Sequence, residues 1–126
     1  MIPGPSGRQR GHTGRLSASE RLLRSVTERD WTAQVVALAQ SMGWERYHTW
    51  SSIHSPRGWP DEALCRPPRL VLAELKTETG RVTPAQRRWL ALLGACPGVE
   101  CYLWRPRDLE EVARILAQPG MRVRIT

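Results

Sequence analysis

Two successive prolines constrain this chain more than any other feature. The loop Arg66-Pro67-Pro68-Arg69 stands between two short strand-like runs, Asp61–Cys65 and Leu70–Lys76. A one-residue slip between paired strands turns every side chain to the opposite face, so a single pivot sets the whole hairpin. With the pivot between Pro67 and Pro68, opposed residues have numbers that sum to 135: Cys65 faces Leu70, Leu64 faces Val71 and Asp61 faces Glu74. Residues opposed in an antiparallel pair hold their Cβ atoms ~4.5–5.5 Å apart on one face. Lys76 lies two residues beyond Glu74 and returns to that face. Register alone therefore brings Asp61, Glu74 and Lys76 together at the open end of the hairpin.

Facing carboxylates repel unless positive charge lies between them. A divalent cation resolves the conflict. Mg²⁺ takes one or two carboxylates, oxygens of the backbone and water, and it engages phosphate oxygens. A nearby ammonium can stabilise charge on a phosphate under attack, so the set of parts suits metal-assisted phosphodiester hydrolysis. The structural alternative is a cross-strand ion pair in which Lys76 neutralises both acids. The identity of residue 76 bears on the choice. Lysine occurs once in the chain, whereas arginine occurs 18 times, the simplest cause being the codon bias of a GC-rich genome. A position that keeps lysine against that background points to a need for a compact charge with a tunable pKa.

The surrounding chain reads as one domain of mixed α/β (α+β) class. Residues 1–24 hold four glycines, two prolines and five arginines against one acid, which predicts a flexible basic tail. Ordered structure is expected over 25–126. Thr27 caps a helix whose apolar positions are Trp31, Val35, Leu38, Ala39 and Met42, with Gly43 as its stop. Arg46–His54 reads as a strand, followed by the hairpin. Thr83-Pro84-Ala85-Gln86 opens a second helix, Val99–Trp104 reads as a strand, Asp108–Ala117 as a third helix and Met121–Ile125 as a short edge strand. The order α-β-β-β-α-β-α predicts a mixed sheet flanked by helices.

Composition narrows the function classes. No apolar run is long enough to span a bilayer, and Met1–Arg8 lacks the apolar stretch of a secretory signal, so a cytoplasmic protein is expected. Three cysteines with no C-x-x-C spacing argue against a disulfide framework or a structural zinc site. The formal charge of +7 makes nucleic acid the first partner to consider.

Gly58-Trp59-Pro60-Asp61, twelve intervening residues, then Glu74-Leu75-Lys76 resembles the P-D…E-x-K signature of the PD-(D/E)XK nuclease superfamily. The closer resemblance is to the small stand-alone VRR-NUC-type nucleases of bacteriophages. It extends from Thr27 to Leu116, through Glu28, Gly43–His48, Arg66–Leu70, Arg81–Gln86 and Tyr102–Pro106. The resemblance implies a restriction-endonuclease-like core and a Mg²⁺-dependent DNA endonuclease, with Mn²⁺ able to substitute, acting in the cytoplasm of a bacterium or a phage-infected host. Asp61, Glu74 and the Leu75 carbonyl would be metal ligands, with Glu28 reaching toward the ion from the first helix. Lys76 would position or activate water, and Gln86 would support the site. Arg57, Arg81 and Arg87 are the expected contacts to nucleic acid. The family analogy extends to branched DNA as substrate. After P-D the family has an apolar residue, whereas this chain has Glu62. That acid would sit at an edge, pair with an arginine, or mark a shifted register.

Each assignment has a structural rival. Acids are favoured in any first helical turn, which accounts for Glu28 without a metal. Thr83-Pro84-Ala85-Gln86 fits a capping box, which accounts for Gln86. His48 and His54 are candidate bases, but a strand histidine near tryptophans is more often packed or at the surface. Trp59 flanks the hairpin, where it can pack or stack on a base. Beside the nuclease, two further readings stay open: a nucleic-acid-binding module of the same fold without turnover, and a structural ion-paired domain. A chain this short offers one catalytic centre, and cutting both strands of a duplex needs two, so a homodimer is expected.

Overall fold

A computed structural model of the protein describes residues 14–49 and 56–120. The first described helix, α1 (Ala18–Ser25), falls where composition predicts a flexible tail. Ser17 starts it by accepting the Glu20 N–H at 3.0 Å. That local Ser-x-x-Glu signal overrides the Gly, Pro and Arg bias of the segment. No α1 residue is buried. Thr27 then caps α2 (Glu28–Ser41), accepting the Asp30 N–H at 3.1 Å, and Gly43 takes a positive φ of 85° just past its end.

The chain continues through β1 (Glu45–His48), β2 (Glu62–Arg66), β3 (Arg69–Leu75), α3 (Pro84–Gly94) and β4 (Glu100–Trp104). A 3-10 turn at Pro106–Asp108 leads into α4 (Leu109–Ala117). After α1, the order is the α-β-β-β-α-β-α read from the sequence. The strand expected over Arg46–His54 begins one residue early and is described as far as His48, and residues 50–55 lie outside the described part. The edge strand expected at Met121–Ile125 also lies outside it.

The four strands form one mixed sheet in the order β1-β2-β3-β4. The first three are antiparallel, and β4 runs parallel to β3. A parallel neighbour needs a crossover, and α3 supplies it. In the hairpin, Cys65 pairs with Leu70, Leu64 with Val71 and Glu62 with Ala73, the register set by the proline pivot.

The two sheet faces have different cover. On one, Leu64, Val71, Ala73, Leu75 and Trp104 pack with Trp31, Val35 and Ala39 of α2 and Val112, Ile115 and Leu116 of α4. Both buried indoles that join these layers are satisfied. Trp31 Nε1 donates to the Trp104 carbonyl and Trp44 Nε1 to the Leu116 carbonyl, each at 3.0 Å. Leu72 and Glu74 point to the opposite face, where α3 packs. Among the described residues, no helix is long and apolar enough to cross a membrane.

Candidate functional site

Strand alternation decides which acids meet. Glu74 follows Ala73, a core residue, so it faces α3 and is almost fully buried there at 1% exposure. One of its oxygens is well partnered. Oε1 accepts from Gln86 Nε2 at 2.7 Å and lies 3.8 Å from Lys76 Nζ. The other, Oε2, is buried with no donor among the described residues, beside the Asp61 carboxyl with which it can share a proton. Leaving a buried acceptor unsatisfied is costly, and more so for a charged group. Burial and then the charge of Asp61 push the Glu74 carboxyl up to about 8, against the pull of Lys76.

Asp61 sits one residue before β2, and continuing the ladder puts it opposite Glu74. The Leu75 N–H donates to Asp61 Oδ2 at 3.2 Å, which ties the acid to the far end of β3. Burial raises the Asp61 pKa, while that hydrogen bond and Lys76 oppose the rise. The approach to Asp61 is clamped by the residue after β1: the Thr49 N–H donates to the Asp61 carbonyl and Thr49 Oγ1 to the Pro60 carbonyl, both at 3.1 Å. The Lys76 N–H donates to the Trp104 carbonyl at 3.0 Å, extending the β3–β4 ladder one residue beyond the strand. Asp61, Glu74 and Lys76 thus come together as the register predicts.

Gln86 closes the capping box read from the sequence and also contacts Glu74. Its Oε1 accepts the Thr83 N–H at 2.9 Å and the Thr83 hydroxyl accepts its N–H at 3.1 Å, completing the capping box. The free end of the same amide then reaches Glu74. Capping fixes the rotamer that delivers Nε2 to the carboxylate. The loop before β2 is pressed onto this helix start. Gly58 has φ +92°, and a Cβ there would lie 2.4–2.6 Å from backbone atoms of Ala85 and Gln86. Only glycine permits both that conformation and that approach. Next to it, Trp59 packs edge-on against Trp89 of α3 at 5.0 Å.

Glu62 resolves the departure from the family pattern: it pairs with an arginine. It points away from Glu74 and is fully buried, with both oxygens occupied. Arg46 binds it with two hydrogen bonds of 2.7 Å, and His48 Nδ1 lies 2.9 Å from Oε1. His48 is thereby held on the face opposite the acid pair.

The remaining candidates fall around this centre. Glu28 is exposed at the first position of α2, and among the described residues no hydrogen bond or ion pair joins it to Asp61, Glu74 or Lys76. No group of three or more His, Cys, Asp or Glu side chains that could hold a metal occurs among the described residues. Carboxylate donors at the centre are therefore Asp61 and Glu74. Arg57 is exposed in the Gly58 loop, and Arg81 and Arg87 are exposed about the start of α3. Sequence reasoning gave no role to Arg105. Its Nη1 donates to the carbonyls of Thr77 at 2.6 Å and Gly80 at 2.8 Å, and so fastens the loop that follows Lys76. Its position one residue past a buried strand end was the available signal. Compared with protein-family models, with curated proteins and with solved structures, the chain matches none of them.

Proposed function

We propose that this chain is a metal-dependent DNA endonuclease with a restriction-endonuclease-like core of the VRR-NUC type its P-D…E-x-K pattern resembles. One observation carries the reading. A buried glutamate has one oxygen with no donor among the described residues, faces a second carboxylate close enough to share a proton with it, and is driven toward its protonated form. A purely structural ion pair would satisfy that oxygen. Here Lys76 stands 3.8 Å from the already occupied Oε1, and its pull still leaves the Glu74 carboxyl raised to about 8.

The donor set fits a hard divalent cation, which accepts one or two carboxylates and completes its shell with water and substrate oxygens. Asp61, Glu74 through its free oxygen and the Leu75 carbonyl would hold Mg²⁺ or Mn²⁺, which supplies Lewis-acid activation of water and phosphate. The residues of the chain do the rest. Gln86 locks Glu74 in one rotamer, so that the ligand oxygen is fixed in advance. Lys76 places its ammonium beside Glu74, where it donates to an attacking water or a phosphate oxygen and offsets charge that builds on phosphorus. Hydrolysis joins the water oxygen to phosphorus, breaks one P–O bond and leaves a phosphate monoester and an alcohol. Arg57, Arg81 and Arg87 supply backbone contacts whose attraction is independent of sequence. Shape then selects the substrate, and branched DNA is the class proposed.

The enzyme acts in the cytoplasm as a homodimer, one centre per strand. Light scattering with and without DNA checks the stoichiometry, and a strictly monomeric species in both states contradicts it. The activity is tested by incubating linear duplex, flap and four-way-junction DNA with the protein in Mg²⁺, Mn²⁺ or chelator. Cleavage that needs the cation and disappears in Glu74→Ala is expected. Cation-independent cleavage, or none on any substrate, rejects the reading.

A further inference from the structure

Beside Lys76 the chain gathers positive charge that the acid pair does not explain. A cavity of about 440 Å³ opens between the loop after β3 and the start of α3, lined by Gly80, Arg81, Val82, Arg87 and Arg105. Among the described residues, none of the three arginines forms an ion pair with a carboxylate. Arg105 is pinned by one nitrogen only, its Nη1 being taken by loop carbonyls. Its Nε and Nη2 have no hydrogen-bond partner among the described residues. The cavity therefore has one guanidinium fixed in place and two more on its rim. It also adjoins the catalytic lysine: a Cβ on Gly80 would lie 3.5 Å from Lys76 Cδ.

Three guanidinium groups around one cavity repel one another unless an anion lies between them. Their forked donors match phosphate oxygens, and each charge-assisted pair is stronger than a neutral hydrogen bond. Val82 is the only large apolar residue in the lining, so the cavity offers little to an apolar ligand. At the helix start the capping box takes the N–H groups of Thr83 and Gln86, and Pro84 has none, so the helix end offers little to an anion. The arginine side chains remain as the binding groups.

We propose that the Arg81–Arg87–Arg105 cavity is a phosphate subsite for a nucleic-acid strand, holding the phosphate next to the one presented to Lys76. Its place beside the cleaved bond rests on the nuclease reading; its affinity for phosphate does not. The bound group is either an internal phosphodiester or the phosphate at a strand end. Arg105→Ala would also release the 77–80 loop, so the rim arginines make the cleaner test.

Metal-free protein is titrated with fluorescently labelled DNA over a range of salt, for wild type, Arg81→Ala, Arg87→Ala and Arg114→Ala. Arg114 sits on α4, paired with Glu111 at 3.5 Å, and controls for lost net charge. Arg81→Ala and Arg87→Ala are each expected to weaken binding by about tenfold and to lower the salt slope by just under one. Arg114→Ala should do neither. Competition with circular DNA and with linear strands ending in phosphate or hydroxyl separates the two sources. Loss against circles assigns an internal phosphate, and loss against phosphorylated ends alone assigns a terminal one. Equal effects of all three substitutions, or no change in slope, would overturn the subsite. Failure of the wild type to cleave with metal, with these binding results intact, would instead remove the nuclease reading and leave the phosphate site standing.

Discussion

Glu62 and Glu74 are both buried, on adjacent strands of one sheet, and they are treated in opposite ways. Glu62, at 0% exposure, faces the α2–α4 layer side and has a guanidinium fork on both oxygens and His48 beside one of them. Glu74, at 1% exposure, faces α3 with one oxygen held by an amide and the other, without a donor among the described residues, turned to a second carboxyl. Burial of charge is tolerated where a partner compensates it and is otherwise resolved by protonation or by a ligand. The first acid is explained entirely by the protein. The second is resolved by protonation in the metal-free chain and leaves room for a cation to take the proton's place.

The largest effect expected is on cleavage. Asp61→Ala or Glu74→Ala should abolish it while DNA affinity holds in a filter-binding titration, and full activity in either variant would reject the site. Lys76→Arg comes next. The guanidinium keeps the charge but is wider and never yields its proton. Single-turnover cleavage should fall at least tenfold, or ~1.4 kcal/mol of barrier. A rate within a factor of two of wild type would make Lys76 structural, on a par with Arg46.

The same isosteric change at the two glutamates should act with opposite sign on stability. Glu62→Gln removes the charge that binds Arg46 and should cost about 2 kcal/mol in urea unfolding, less than for a pair with both partners buried. Glu74→Gln replaces a carboxyl that burial already drives toward its neutral form, so the metal-free protein should be as stable as wild type or more so. If both variants lose stability equally, the contrast between the faces fails.

The smallest expected effect is on pH dependence. A carboxyl whose folded pKa exceeds its unfolded value binds its proton more tightly when folded. It adds stability at low pH, and that stability is lost as pH rises from the ordinary range near 4.5 through about 8. Metal-free wild type should lose roughly 5 °C in Tm between pH 5 and 8. Glu74→Gln should lose less, and parallel curves for the two would contradict the raised pKa.

Most of the centre was legible because it lies within one hairpin. The proline pivot sets the register, and the register sets which of Asp61, Glu62, Glu74 and Lys76 share a face. The double role of Gln86 was legible too, since a capping side chain ends beside whatever strand the helix start touches. The partner of Glu62 was harder to read. Arg46 and His48 come from β1, and their approach depends on β1–β2 pairing across a long connection whose closure no local pattern specifies. Arg105 shares that character, because its partners are backbone carbonyls, which any sequence possesses. Helix α1 was overlooked for a different reason. Averaging over 24 residues hid a four-residue capping signal at Ser17–Glu20.

Calorimetry of Mn²⁺ binding in buffers of different ionisation enthalpy tests the central claim most directly, because it counts protons. At pH 6.5 the Glu74 carboxyl, with its pKa near 8, carries a proton that a cation must displace. We expect one ion per chain with close to one proton released, a release that fades above pH 8 and vanishes in Glu74→Gln. Absence of binding, or binding with no proton release and unchanged in Glu74→Gln, would contradict the account.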